Sequence, residues 1–330
     1  MGESNQSIVV AHKSDSATSM NYRHLFHAGN FADVFKHIVL VEVVLNLLQK
    51  PQPFCYMDTH AGVGAYDLYA ESALKTTEAQ RGITQIWSNI HNASPAPPAI
   101  SRYLDSVRAY NQQQNAEQRF YPGSPEIVRA LLRPQDKMIL TELHPEDAEQ
   151  LKTRFKQDAR VAVHQLDGYQ ALKAFLPPKN IGRGLVLIDP PFEREDEWDQ
   201  LLESLLLATT RWKNGRFLVW YPIKDQKNVQ KFYRQLKAQI ADDMFICEWR
   251  MPVIDSKKLS ACGVVMIRPP WQFAKNIKMN LEWLASALKG RYRFVKLNAL
   301  ECIQAAVQKL SDTTQNHTDE FIKFRKKDSK

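Results

Sequence analysis

The chain has 330 residues, 44% hydrophobic and 24% charged, enough for one or two domains with a large core and no covalent staples. Forty-four Lys/Arg against 36 Asp/Glu give a formal net charge of +8 and a pI near 9.2, which leaves a polyanionic partner open. The most apolar run, residues 38–48, is short and broken by Glu42 and Asn46, so no membrane span is expected; the four scattered cysteines form neither a disulfide framework nor a zinc site, and with no apolar signal core they point to a reducing cytoplasm.

In chain order, residues 1–20 are Ser-rich and aperiodic and read as a disordered leader, with Met20 as an alternative start. The block Tyr22-Arg23-His24-Leu25-Phe26-His27-Ala28-Gly29-Asn30 interleaves aromatic and basic side chains, which suits a nucleotide or an ordered tail packed on the domain. A helix over 32–49 stops at Pro51, and a strand over 53–58 runs into Thr59-His60-Ala61-Gly62-Val63-Gly64. Residues 68–120 are helical (78–90 and 100–112), split by the breaker Ser94-Pro95-Ala96-Pro97-Pro98.

A regular alternation follows. Helices are expected over 125–132, 146–157, 169–175, 196–210 and 226–240, and strands over 137–143, 161–166, 184–188 and 216–221. Two consecutive strands, 244–251 and 263–268, predict an antiparallel hairpin at one edge. Beyond Pro270 the chain is helical and then fades into polar sequence. The expected fold is α/β: a mostly parallel, seven-stranded sheet covered on both faces, with a small helical insertion.

In open α/β sheets, ligands gather outside the carboxyl ends of the strands. The first strand delivers Asp58 and a glycine turn, in which Asp67 replaces the third glycine of a dinucleotide fingerprint. By itself that turn serves a ligand or merely a tight bend. The second delivers Glu142, able to accept two ribose hydroxyls or to stand as a surface acid. The third delivers Asp167-Gly168, an acceptor for an exocyclic amine or an N-cap of the next helix.

The fourth delivers Asp189-Pro190-Pro191-Phe192, the most specific signal in the chain. Two prolines freeze the backbone and remove two N–H donors. The Asp189 carboxylate and the Pro190 carbonyl then become paired acceptors for the hydrogens of an aromatic amine, whose delocalised lone pair is weakly nucleophilic. Phe192 offers a face on which a flipped base can stack. The competing reading is a rigid turn with a buried Phe. Lys36 and His37, on the first helix, read alone as surface charge or a satisfied imidazole.

Together these residues resemble class I S-adenosylmethionine-dependent methyltransferases that act on amino groups. More narrowly, they resemble the RlmJ family, which methylates N6 of an adenosine in bacterial 23S rRNA. The blocks carrying the resemblance are Tyr22 to Asn30, Asp33-Val34-Phe35-Lys36-His37, Asp58 to Gly62, Tyr121-Pro122-Gly123-Ser124-Pro125, Thr141-Glu142-Leu143-His144-Pro145, Asp167-Gly168 and Ile188 to Pro191. The resemblance implies a Rossmann-like methyltransferase domain over 21–67 and 121–296, an RNA-contacting insertion over 68–120, and a helical or disordered tail over 297–330. It implies S-adenosylmethionine as cofactor, S-adenosylhomocysteine as product and no metal. His37, Asp58, His60, Gly62, Ser124, Glu142, Asp167 and Gly168 would line the cofactor, and Asp189 would be catalytic. Tyr22, His24, Lys36, Pro190 and Phe192 would hold the adenosine. Phe192 stands where the family usually has Tyr, so stacking is kept and a phenol hydroxyl is lost.

The implied partner is 23S rRNA, free or early in assembly, met by a monomer in the cytoplasm away from membranes. Alternatives are a DNA adenine-N6 methyltransferase, an inactive RNA-binding relative and, more distantly, a nicotinamide-dependent oxidoreductase. Residues 211–296 hold 18 Lys/Arg against 6 Asp/Glu. They are expected to form a basic rim around the Asp189 cleft, or else a merely solvated surface.

Overall fold

Central strands buried at nearly every position, with successive side chains on opposite sides, build one large sheet with a separate core on each face. The computed structural model describes residues 26–89, 95–253, 255 and 258–297. Helix α1 (Phe31–Leu48) leads to β1 (Cys55–Asp58). A short strand β2 (Ala65–Asp67) opens the insertion, which holds α2 (Glu71–Thr76), a 3-10 turn (Glu78–Arg81), α3 (Ile83–Asn89) and α4 (Pro98–Gln113), and β3 (Phe120–Pro122) closes it. The alternation continues with α5 (Ser124–Arg129), β4 (Lys137–Glu142), α6 (Pro145–Phe155), β5 (Val161–Gln165), α7 (Gly168–Phe175) and β6 (Gly184–Ile188). Helix α8 (Glu197–Arg211), β7 (Gly215–Pro222), α9 (Gln226–Gln239), β8 (Met244–Arg250), β9 (Ala261–Ile267), α10 (Phe273–Leu288) and β10 (Arg291–Leu297) complete it.

The strand order is β10-β8-β9-β7-β6-β1-β4-β5. Strands β7, β6, β1, β4 and β5 run parallel, whereas the β7–β9, β9–β8 and β8–β10 pairs are antiparallel. The α/β expectation holds, with two corrections at one edge. The sheet has eight strands rather than seven, and the hairpin does not close the edge: β9 inserts between β7 and β8, and β10 lies outermost. No strand is expected over residues 291–297 from the sequence alone, and in β10 Arg291, Arg293 and Lys296 are exposed. Their neighbours Tyr292, Phe294, Val295 and Leu297 are partly buried, and such exposed cations guard an edge against further pairing.

On one face Tyr56, Leu185, Leu187 and Leu218 pack with α1 and α10. On the other, Met57, Val186, Ile188 and Val219 pack with α7, α8 and α9. Period-two strands sort these side chains. Helix α1 is central: 15 of its 18 residues are buried, because it lies between the sheet and helices α4, α5 and α10. Asn30 starts it by accepting from the Ala32 and Asp33 N–H groups, a cap whose loss costs about 1 kcal/mol. Its buried Glu42 is satisfied by Asn276 and Asn280 of α10 at 2.8 and 3.1 Å.

The single helix expected over 78–90 breaks at Gly82. A Cβ there would lie 2.1 Å from the Gly29 carbonyl oxygen, and the Ile83 N–H donates to that same oxygen. Close backbone approach overrides helix periodicity. The ribbon of β2 and β3 ties the two ends of the insertion, reinforced by Arg119 on Asp67 at 2.7 Å.

Candidate active site

The connections from β1 and β6 leave in opposite directions, to β4 and to β7, so the crevice between these neighbours is the switch point at which α/β sheets take ligands. Asp58 ends β1, and Asp189 follows the last residue of β6. Asp58 is fully buried. Its Oδ2 accepts from the Tyr56 hydroxyl at 2.7 Å and from Ser124 Oγ at 2.6 Å. Burial lifts its carboxyl to about 6, against the pull of those two bonds.

The turn beyond it is left-handed at both glycines, with φ of +60° at Gly62 and +84° at Gly64, the region glycine enters without penalty. The Gly62 N–H donates to Glu142 Oε2 at 2.9 Å, and the His144 N–H donates to Oε1 at 2.9 Å. Burial raises the Glu142 carboxyl, and the backbone N–H groups around it, those of His144 and Gly62 foremost, oppose it. Each oxygen keeps a lone pair for a further donor.

Asp167 is the N-cap of α7, accepting from Tyr169 and Gln170 through Oδ1 alone. Gly168 is required by close packing: a Cβ would stand 2.4 Å from the Thr59 carbonyl oxygen and 2.8 Å from the His60 ring. His60 lies edge-on to Tyr169. Burial lowers its pKa to about 4, although Asp189 and Asp167 pull it upward.

Lys36 Nζ reaches Asp189 Oδ2 at 2.5 Å and Asp33 Oδ1 at 2.8 Å, and is only 4% exposed. Burial disfavours the ammonium, but the two carboxylates outweigh it and hold its pKa well above the ordinary lysine value. Lys36 Nζ also lies 5.9 Å from the centre of the Trp220 ring. Phe192 takes a positive φ of 51°, unusual for a side chain of this size. Its ring is half-buried, 4.7 Å from Trp198 and 6.2 Å from Trp220.

The structure therefore gathers Lys36, Asp58, His60, Gly62, Glu142, Asp167, Gly168 and Asp189-Pro190-Pro191-Phe192 at one end of the parallel strands. Ser124 is brought there too, with its hydroxyl on Asp58. His37 is buried behind them: its Nδ1 meets the Tyr121 hydroxyl at 2.7 Å and its ring stacks on Tyr121. Tyr22 and His24 lie outside the described residues. Sequence reasoning missed Tyr56 and Trp220, and gave no role to Asp33 although it opens the block that holds Lys36. Tyr56 shares a strand face with Asp58, two residues on, and Trp220 would have emerged from treating β7 like the four strands before it.

The basic segment divides. Lys224, Lys227, Arg250 and Arg291 stand at the Asp189 end of the sheet. Lys213 and Arg268 occupy the opposite end, where Arg268 donates to the Trp212 and Gly215 carbonyls. The expected rim accounts for only part of the surplus. Among the described residues no His, Cys, Asp and Glu cluster is placed to hold a metal, and no helix is long and apolar enough to cross a membrane.

Residues 51–296 match the family model described as Ribosomal RNA large subunit methyltransferase D, RlmJ. The chain is 38% identical over 270 residues to the ribosomal RNA large subunit methyltransferase J of Escherichia coli (strain K12), covering 82% of this chain and 94% of that protein. The corresponding Haemophilus influenzae protein gives the same identity and coverage. The crystal structure of protein LPL1258 from Legionella pneumophila aligns with a TM-score of 0.74 at 32% identity, over 82% of this chain and 98% of that one.

Proposed function

This chain belongs to the RlmJ family of ribosomal RNA large subunit methyltransferases, and on that premise we propose that it transfers a methyl group from S-adenosylmethionine to the N6 amino group of an adenosine in 23S rRNA. The observation that carries the finer reading is the placement of Asp189, at the switch point beside Asp58, with its Oδ2 taken by Lys36.

The donor set fits the cofactor. Glu142 has lone pairs left for a ribose diol, and Asp167 has Oδ2 left for an exocyclic amine. Gly62 takes the left-handed φ that the turn needs, and Gly168 lets the start of α7 pack on the Thr59 carbonyl and His60. His60 is neutral above about pH 4, so it adds no positive charge beside the sulfonium. Asp58, Ser124 and His37 are buried polar groups on the same wall and hold its shape. When bound, S-adenosylmethionine supplies an electrophilic methyl group.

The chain's own part is positioning. Asp189 Oδ1 and the Pro190 carbonyl accept the two amino hydrogens, so the nitrogen lone pair turns out of the ring plane toward the methyl group. Lys36 pins the other carboxylate oxygen and prevents rotation of the acceptor. Phe192, braced by Trp198, offers its remaining face to the base. Most of the rate gain comes from holding the reacting atoms in line. No strong base is required, because the methylated amine is acidic until it loses a proton to a neighbouring acceptor. Tyr22 and His24 belong to the adenosine side of this proposal. An extruded base is easiest to obtain from free or early-assembly rRNA, the form of substrate we assign.

The test is labelled methyl transfer into deproteinised 23S rRNA and into duplex DNA. Label recovered as N6-methyladenosine from the rRNA supports the proposal. Incorporation into duplex DNA alone refutes it in favour of a DNA methyltransferase.

A further inference from the structure

Helix α6 runs behind the Gly62-Val63-Gly64 turn, and one of its side chains grips that turn. Arg154 Nε donates to the Val63 carbonyl at 2.9 Å, and its Nη1 donates to the Tyr110 hydroxyl of α4 at 2.6 Å. The same guanidinium lies 3.8 Å from the buried Glu126, which Arg129 also pairs at 2.7 Å. The fit under the turn is tight. A Cβ on Gly64 would stand 2.9 Å from Arg154 Cδ and 3.3 Å from both Leu151 and Phe155.

Two neighbouring groups of the turn are anchored elsewhere. The Gly62 N–H is held by Glu142 of β4, and the Gly64 carbonyl accepts from the Gly123 N–H at 2.8 Å. Arg154 is the anchor that also reaches the insertion. Two glycines with positive φ give the turn little preference of its own. A guanidinium with donors in a rigid fork can set its curvature, because both bonds are satisfied in only one relative placement of turn and α4.

We propose that Arg154 is a positioning residue for S-adenosylmethionine: it holds the Gly62-Val63-Gly64 turn in the curvature that receives the cofactor, and through Tyr110 it ties that curvature to α4 of the insertion. This rests on the cofactor assignment above. A purely structural role, cementing α4 to α6, would cost stability and leave cofactor affinity unchanged. The outer edge of the guanidinium faces an open cavity of about 840 Å³ lined also by Tyr110, Glu126, Arg129 and Glu146. Replacing Arg154 therefore opens onto solvent and leaves no sealed void.

The experiment compares wild type, Arg154→Met, Arg154→Lys and Tyr110→Phe by calorimetric titration with S-adenosylmethionine and by steady-state kinetics on rRNA. Arg154→Met is expected to raise the cofactor Kd and KM about tenfold, with kcat and the rRNA KM within about twofold of wild type. Arg154→Lys, which can still reach one acceptor, recovers most of that loss. Tyr110→Phe raises the cofactor Kd about threefold. A folded Arg154→Met with wild-type cofactor Kd overturns the proposal, as does a loss confined to kcat or to the rRNA KM. If Arg154→Met does not fold, the other two variants decide, and wild-type cofactor affinity in both overturns it. Failure of the wild-type protein itself to bind S-adenosylmethionine refutes instead the cofactor reading on which this rests.

Discussion

The two halves of the sheet share one continuous core on each face but distribute their polar ends differently. In the parallel half every strand leaves the sheet at the same end. Asp58, Glu142, Asp167 and Asp189, from β1, β4, β5 and β6, therefore converge without any being near another in sequence. In the antiparallel half the direction reverses at each step. Arg250 and Arg291 come out at the Asp189 end, while Arg268 and Lys296 come out at the other. Parallel topology collects chemistry at one site. Antiparallel topology spreads charge, and this is why a basic surplus of 18 Lys/Arg against 6 Asp/Glu in 211–296 yields only a partial rim.

The sharpest break of this contrast is Asp189→Ala. Methyl transfer is expected to fall about a thousandfold, with S-adenosylmethionine binding unchanged by calorimetry. Comparable turnover by the variant would remove Asp189 from the chemistry.

Second in size is the buried cation of the parallel half. Lys36→Met leaves the Asp33 and Asp189 carboxylates facing each other across the lost ammonium. Breaking such a buried group costs about 3–5 kcal/mol, or roughly 10 °C in Tm. The matching cut in the antiparallel half is Arg250→Met. It removes a half-exposed partner of buried Glu248, which keeps Tyr233 and Arg293, and should cost about 1 kcal/mol or less. Equal melting losses would erase the distinction between the halves.

Third is the pH response. His60 has its pKa lowered by burial to about 4, so the unfolded chain takes up that proton first. Its contribution to stability is present above about pH 6.5 and is lost as pH falls toward 4. Asp58, raised by burial to about 6, works the other way and adds stability as pH falls below 6. His60→Gln removes only the first effect. Its Tm relative to wild type should rise between pH 7.5 and 4.5, by an equivalent of about 2 kcal/mol because the ring edge is partly solvated. A constant difference across that range would contradict the neutral buried imidazole.

The smallest effect concerns the rim. Replacing Lys224 and Lys227 with Ala should weaken rRNA binding a few-fold and flatten its salt dependence, whereas Lys213 and Lys237 at the far end should be replaceable without either change. Identical behaviour of the two pairs in salt-titrated binding would mean that the charge serves solubility alone.

What could be read in the sequence was set by how far each decision reached in space. Strand β6 was legible to its ends, because four apolar residues lie between Gly184 and Asp189 and both faces are buried. The acidic strand ends were legible once the alternation was recognised, since each is the last residue of a strand or lies within two residues of its end. Strand β10 was hidden by its arginines, and the break at Gly82 by a contact with Gly29, 53 positions earlier. Phe192 shows both outcomes. Its position after the two prolines was evident, but its packing against Trp198 and its positive φ arise from tertiary contacts. His37 adjoins Lys36 in the chain, yet one helical step turns it from the Asp189 carboxylate toward Tyr121.

The central claim is that this arrangement methylates an adenosine amine of 23S rRNA through Asp189. Mass mapping of N6-methyladenosine in 23S rRNA from cells lacking the protein, and from the same cells carrying wild type or Asp189→Ala, tests it most directly. One modified adenosine should be missing without the protein, restored by wild type and still missing with the variant. An unchanged N6-methyladenosine map in all three strains would contradict it.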